Sequence, residues 1–126
     1  MNHMEKAREL RASTDVHYNC AQSVLVTFAK EMGLTEQQAY DLGSHFGSGM
    51  RHGGTCGALT GSLMVLGMVG HDGKDAAALM AKMRQNHGAL DCATMLKASK
   101  EKGMSNKEHC DGLVYEMVQA VEELLK

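Results

Sequence analysis

From Cys110 to the C-terminus the apolar residues recur at helical spacing: Cys110, Leu113, Val114, Met117, Val118, Val121, Leu124 and Leu125 form one stripe. Ser105 followed by Glu108 supplies a capping-box pattern that opens this helix. Weaker versions of the same grammar run upstream. A polar helix is expected over about Glu5–Arg11, and a second runs from Cys20 to about Met32, where Gly33 stops it. Thr35 with Gln38 opens a short third helix to about Leu42. The stretch from Cys56 to about Val69 is apolar on nearly every face, which predicts a helix central to a bundle. Two more helices are expected, one ending near Asn86 with Gly88 as its stop, the other from about Cys92 to Lys102. The absence of proline and the scarcity of aromatic and β-branched residues favour helix throughout. The expected fold is therefore all-α, a single compact bundle of about six to seven helices around a buried central helix near residues 56–69.

At 126 residues the chain reads as one domain, residues 1–126. Its formal net charge is −2 and it has five aromatic residues, so neither phosphate contacts nor stacking platforms for nucleic acid are conspicuous. The uncharged stretch Gly53–Gly70 contains six Gly and three Ser or Thr, which reads as a tightly packed helix with a flexible approach rather than a membrane span. The N-terminal run MNHMEKARELRAS is charged and lacks the apolar core of a secretory signal, so a cytoplasmic, reducing location is expected. Eleven methionines read as pliable core filler. Between the third helix and Cys56 lies GSHFGSGMRHGGT, rich enough in glycine to bring backbone close to a site.

The chemistry rests on the cysteines. Cys20, Cys56, Cys92 and Cys110 contain no CxxC pair and no zinc-finger spacing, so any site they share must be assembled by the fold. Asn19, Thr55 and Asp91 precede the first three and are good N-cap residues. That places Cys20, Cys56 and Cys92 at the first helical position, where the helix dipole favours a thiolate. Cys110 lies on the apolar stripe of the last helix and is expected to face the core. His17, His52, His87 and His109 each fall within five residues before a cysteine, which makes mixed Cys/His ligation of zinc, or a Rieske-like site, conceivable.

Asn19–Val24 (NCAQSV), Thr55–Gly61 (TCGALTG), and then the single cysteines Cys92 and Cys110 followed by Leu113-Val114 resemble the C_GCAxxG_C_C family of redox-active proteins. The resemblance runs from about Thr14 onward, with Cys56, Gly57, Ala58 and Gly61 forming the CGAxxG core. It implies a small helical protein acting through Cys20, Cys56, Cys92 and Cys110, with Gly57 and Gly61 as packing residues. The family is often encoded near transporter genes, and similar domains fused to cytochromes are suspected of carrying an iron–sulfur site. Two redox chemistries therefore stand open: thiol/disulfide exchange, slightly favoured, and an iron–sulfur cluster held by the four thiolates. The alternatives are a zinc-binding module and a helical interaction domain with structural cysteines. A redox partner protein or a transporter is the expected partner, whereas substrate and oligomeric state are not readable from the residues.

Overall fold

A computed structural model describes residues 2–126. The described residues form eight α-helices: α1 (His3–Ala12), α2 (Cys20–Thr27), α3 (Ala29–Met32), α4 (Glu36–Leu42), α5 (Gly57–Met68), α6 (Gly73–His87), α7 (Cys92–Glu101) and α8 (Asn106–Leu124). A wide π-type turn at Gly49–Gly53 joins α4 to α5. The all-α class is as expected, but the count exceeds six to seven. The second helix breaks at Phe28, whose φ of −105° and ψ of 15° leave the helical region. Its side chain is fully buried, and its ring lies 4.4 Å from that of His3, tying the break to α1.

The capping boxes of Thr35 with Gln38 and Ser105 with Glu108 form as expected. Gly33 and Gly88 end their helices in the left-handed conformation, which costs a glycine little. On α8 the stripe buries Leu113, Val114, Met117, Val118 and Val121, while Cys110, Leu124 and Leu125 are only half-buried. Methionine does fill core space: Met32, Met83, Met95 and Met117 are buried.

The helix that sits deepest differs from the expectation. In α2 every residue from Ala21 to Thr27 is buried, and the helix packs against α1, α4, α5 and α8. The α5 helix is buried along its first part but surfaces at its end, where Met68 is exposed. Gly57 and Gly61 set the approach of α5 to α2. A Cβ at Gly57 would stand 3.2 Å from the Ala21 nitrogen, and 2.7 Å from the Phe46 carbonyl oxygen in the loop after α4, and one at Gly61 would stand 3.0 Å from the Ala21 carbonyl oxygen. The close-packing role expected of these glycines is therefore played within the chain.

Candidate functional site

Asn19 fixes the start of α2 by accepting from the Gln22 N–H at 2.7 Å, while Gln22 Oε1 accepts from the Asn19 N–H at 2.9 Å. The Asn19 amide also donates to the Gly43 carbonyl at 3.0 Å, tying the cap to the end of α4. Asp91 opens α7 by accepting from the Thr94 N–H at 2.8 Å. Cys20 and Cys92 therefore occupy the first helical position as expected. Cys56 does not. Thr55 pairs with Asp91 in an isolated antiparallel bridge, and Cys56 itself takes the N-cap position of α5, with φ −52° and ψ 130°. On the flanks of the bridge the Cys56 N–H donates to the Leu90 carbonyl at 2.9 Å and the Cys92 N–H to the Gly54 carbonyl at 2.6 Å. Two cysteines 36 positions apart are thereby stitched together through backbone.

The starts of α2, α5 and α7 converge with the first turns of α8, and Cys20, Cys56, Cys92 and Cys110 all line one cavity of about 420 Å³. Cys56 is buried, and the other three are half-buried. Cys110 also lines a second cavity of about 370 Å³ between α1 and α8.

The glycine-rich turn forms a wall of the thiol cavity through Ser48, Gly49, Arg51, His52 and Gly53. Ser48, Met50 and Arg51 hold positive φ values of 53°, 59° and 70°, and Gly49 lies among them at 63°. Each such non-glycine residue costs roughly 1–2 kcal/mol, so strain is concentrated beside the thiols. The Gly54 N–H closes the turn onto the Gly49 carbonyl at 2.8 Å. Only glycine fits at position 49, since a Cβ would stand 2.3 Å from the Gly54 oxygen and 2.8 Å from Cys92 Cβ.

The acidity of the thiols reverses the expected order. Hydrogen bonding to Cys110, together with burial, pushes Cys20 well above the ordinary thiol range. Burial drives Cys56 up to about 11, only partly opposed by the nearby N–H groups of Leu59 and Ala58. Burial also raises Cys92, with further repulsion from Cys110 and Asp91. Cys110 alone moves down, to about 7, because the Cys20 thiol hydrogen-bonds to it and the Arg11 guanidinium lies nearby. The cysteine expected to face the core is thus the one poised as a thiolate.

Arg11, in a polar helix with no site motif around it, is a further residue of the cavity wall. It lies on α1 with its side chain only 9% exposed. Its Nε donates to Asp111 Oδ1 at 2.7 Å, and its Nη1 donates to the Tyr18 carbonyl at 2.7 Å and to Ser23 Oγ at 3.3 Å. Burial opposes its charge, but the Asp111 hydrogen bond and attraction to Cys20, Asp111 and Cys110 outweigh that and raise its pKa.

Of the cysteine-adjacent histidines, His17, His52 and His109 line the thiol cavity. His87 instead bonds Glu116 at 3.1 Å. His109 is buried, its Nδ1 paired with Ser99 Oγ at 2.6 Å, and burial lowers its pKa. Among the described residues, no three His, Cys, Asp or Glu side chains stand where they could together hold a metal ion. The donors suit zinc or an iron–sulfur cluster in kind, but their arrangement among the described residues does not. The features define a helical protein with four cysteines around one cavity. The chain belongs to the family described as "Putative redox-active protein (C_GCAxxG_C_C)", which matches residues 18–124. No curated protein and no solved structure matches it. Among the described residues no helix is long and apolar enough to cross a membrane.

Proposed function

We propose that the protein is a thiol/disulfide exchange protein in which Cys110 is the attacking thiolate and Cys20 the resolving thiol. The observation that carries this reading is that Cys20 and Cys110 line one cavity with two further thiols and with Arg11, whose side chain is buried against Asp111. The Cys110 thiolate attacks one sulfur of a substrate disulfide, forming a mixed disulfide and expelling a thiolate. The Cys20 thiol gives up its proton, which the expelled thiolate takes, and its sulfur then attacks Cys110. The second substrate sulfur leaves, protonated from solvent, and a Cys20–Cys110 disulfide remains. The substrate disulfide has gained two electrons from the two protein sulfurs, one proton from Cys20 and one from solvent, the last replacing the proton Cys110 released to solvent on becoming a thiolate. Cys56 and Cys92 are the second pair of thiols in the cavity, both held toward protonation chiefly by burial.

Family membership supports a redox role, and Cys110's position in the walls of two cavities supports its place as the entry point. The four cysteines fall on four separate tryptic peptides, which makes the test direct. Mild oxidation of the reduced protein should cross-link peptides 12–30 and 108–126, and Cys110→Ser should abolish both this link and exchange with a substrate disulfide. Four thiols that stay free under mild oxidation would overturn the reading. So would stoichiometric iron and sulfide, or zinc, after anaerobic purification.

A further inference from the structure

The thiol cavity adjoins a polar cavity of about 580 Å³, and the two share His17, Asn19, Ser48 and Arg51 in their walls. Both volumes lie in the range of small-molecule sites. The chain carries 15 Asp and Glu residues, yet none of them lines either cavity. The walls instead carry Arg11 and Arg51 with His17, His45, His52 and His109. Arg11 is already neutralised by Asp111. Arg51 has no carboxylate partner among the described residues; its Nη1 meets His45 Nδ1 at 3.1 Å. A guanidinium can only donate, so His45 Nδ1 is the acceptor, and the ring's proton sits on Nε2 as a further donor. Arg51 is also held at positive φ in the strained turn, which fixes its backbone at the boundary of the two cavities.

Resting on the exchange reading above, we propose that the polar cavity is a substrate site for a small anionic disulfide, one bearing carboxylates. Arg51, with His45 and His17 beside it, holds a carboxylate in the polar cavity while the disulfide reaches the thiols next door. At the shared wall the Ser48 hydroxyl supplies a donor, and no side chain there carries a negative charge to repel the ligand. The electron balance is that of the exchange step: the ligand disulfide is reduced to two thiols as Cys20 and Cys110 become a disulfide.

The test compares three disulfides of similar size against the fully reduced protein: dithiodipropionate (anionic), hydroxyethyl disulfide (neutral) and cystamine (cationic). Stopped-flow rates at low salt should rank anionic over neutral over cationic. A preference of roughly two- to fivefold for the anion over the neutral compound is expected, of the order of one exposed ion pair, since Arg51, His45 and His17 are exposed, and salt should shrink it. Arg51→Gln should draw that ratio toward one, and Arg51→Lys should retain most of it. Because the readout is a ratio within one protein, a general loss of stability in either variant does not imitate it. Equal rates for the three compounds, or faster reaction with the cation, would overturn the proposal while leaving thiol exchange standing. Calorimetric titration of dithiodipropionate into a Cys20→Ser/Cys110→Ser chain separates the two ideas from the other side. Binding there that Arg51→Gln removes supports the anion site even if exchange fails, and absence of binding overturns the site.

Discussion

Replacing Cys20 by alanine should raise the pKa of a different residue, Cys110. In the native chain Cys110 is held at about 7, chiefly by the hydrogen bond from the Cys20 thiol and secondarily by Arg11. At pH 7 about half of Cys110 is then thiolate. Without the Cys20 donor, its pKa moves toward the ordinary value of 9.0, where about 1% is thiolate at pH 7. The thiolate population falls by up to about fiftyfold. A more basic thiolate is also a better nucleophile: with a Brønsted coefficient of about 0.4–0.5, two units of basicity return a factor of about six to ten. The net loss in attack rate at pH 7 is therefore about five- to eightfold at most, with Arg11 retaining part of the effect. Above pH 9 the variant should react faster than the native chain. The assay is alkylation by iodoacetamide across pH 5.5–10, quenched and read by mass spectrometry on peptide 108–126, which carries no other cysteine. A Cys110 midpoint that stays near 7 in Cys20→Ala, or one near 9 in the native chain, would refute the assignment of the hydrogen bond as the cause.

Gly49→Ala should destabilise the fold by about 3 kcal/mol or prevent folding, because its Cβ would overlap the Gly54 backbone in a left-handed turn; Gly112→Ala, where a Cβ meets nothing within 4 Å, should stabilise α8 by roughly 0.5–1 kcal/mol. Urea titrations of both read the contrast, and a neutral Gly49→Ala would show that the turn relaxes freely. Asp111→Asn should lower the Cys110 midpoint, since the Asp111 charge opposes the thiolate, yet weaken the fold by leaving Arg11 buried without its carboxylate; alkylation and melting curves measure the two effects separately. For reduced protein, Cys56 contributes stability that is present in full below about pH 9 and lost as pH climbs through about 11, because the unfolded chain sheds a proton that the folded chain keeps. The loss is of the order of 2 kcal/mol, and unfolding of native and Cys56→Ala chains under reductant at pH 8.5 and 10.5 should differ in slope accordingly.

The helices were legible because their signals are local. Ser105 with Glu108, Thr35 with Gln38, Gly33 and Gly88 act within one turn of the residues they cap. The start of α5 was misplaced because Thr55 is drawn away by a partner outside its own helix, Asp91, and Cys56 takes the cap position instead. The break at Phe28 was missed for a related reason, since its ring is anchored on α1. For the site, the four cysteines were visible as a set that needed the fold to assemble it, and the glycine-rich segment as a close approach. Arg11 was not visible. Its partner Asp111 is 100 positions away, and both residues sit in stretches that look like ordinary solvated helix surface.

Helix starts were expected to acidify Cys20, Cys56 and Cys92, and the magnitudes explain why they do not. A helix N-terminus contributes about 0.3–1 kcal/mol to a nearby anion, less than one pKa unit. Burial of a thiolate costs more than that, as Cys56 shows by rising to about 11 even with two backbone N–H groups near it. At Cys92 the cap itself works against the dipole, because the Asp91 carboxylate that opens α7 also repels a thiolate on the next residue. A direct hydrogen bond from a neighbouring thiol, backed by a guanidinium, is the stronger device, and it acts on Cys110. Helix starts therefore do not choose the nucleophile in this fold. They bring Cys20 into the cavity that Cys110 also lines, and the groups around Cys110, Cys20 and Arg11 among them, lower its pKa while burial helps to raise those of the other three.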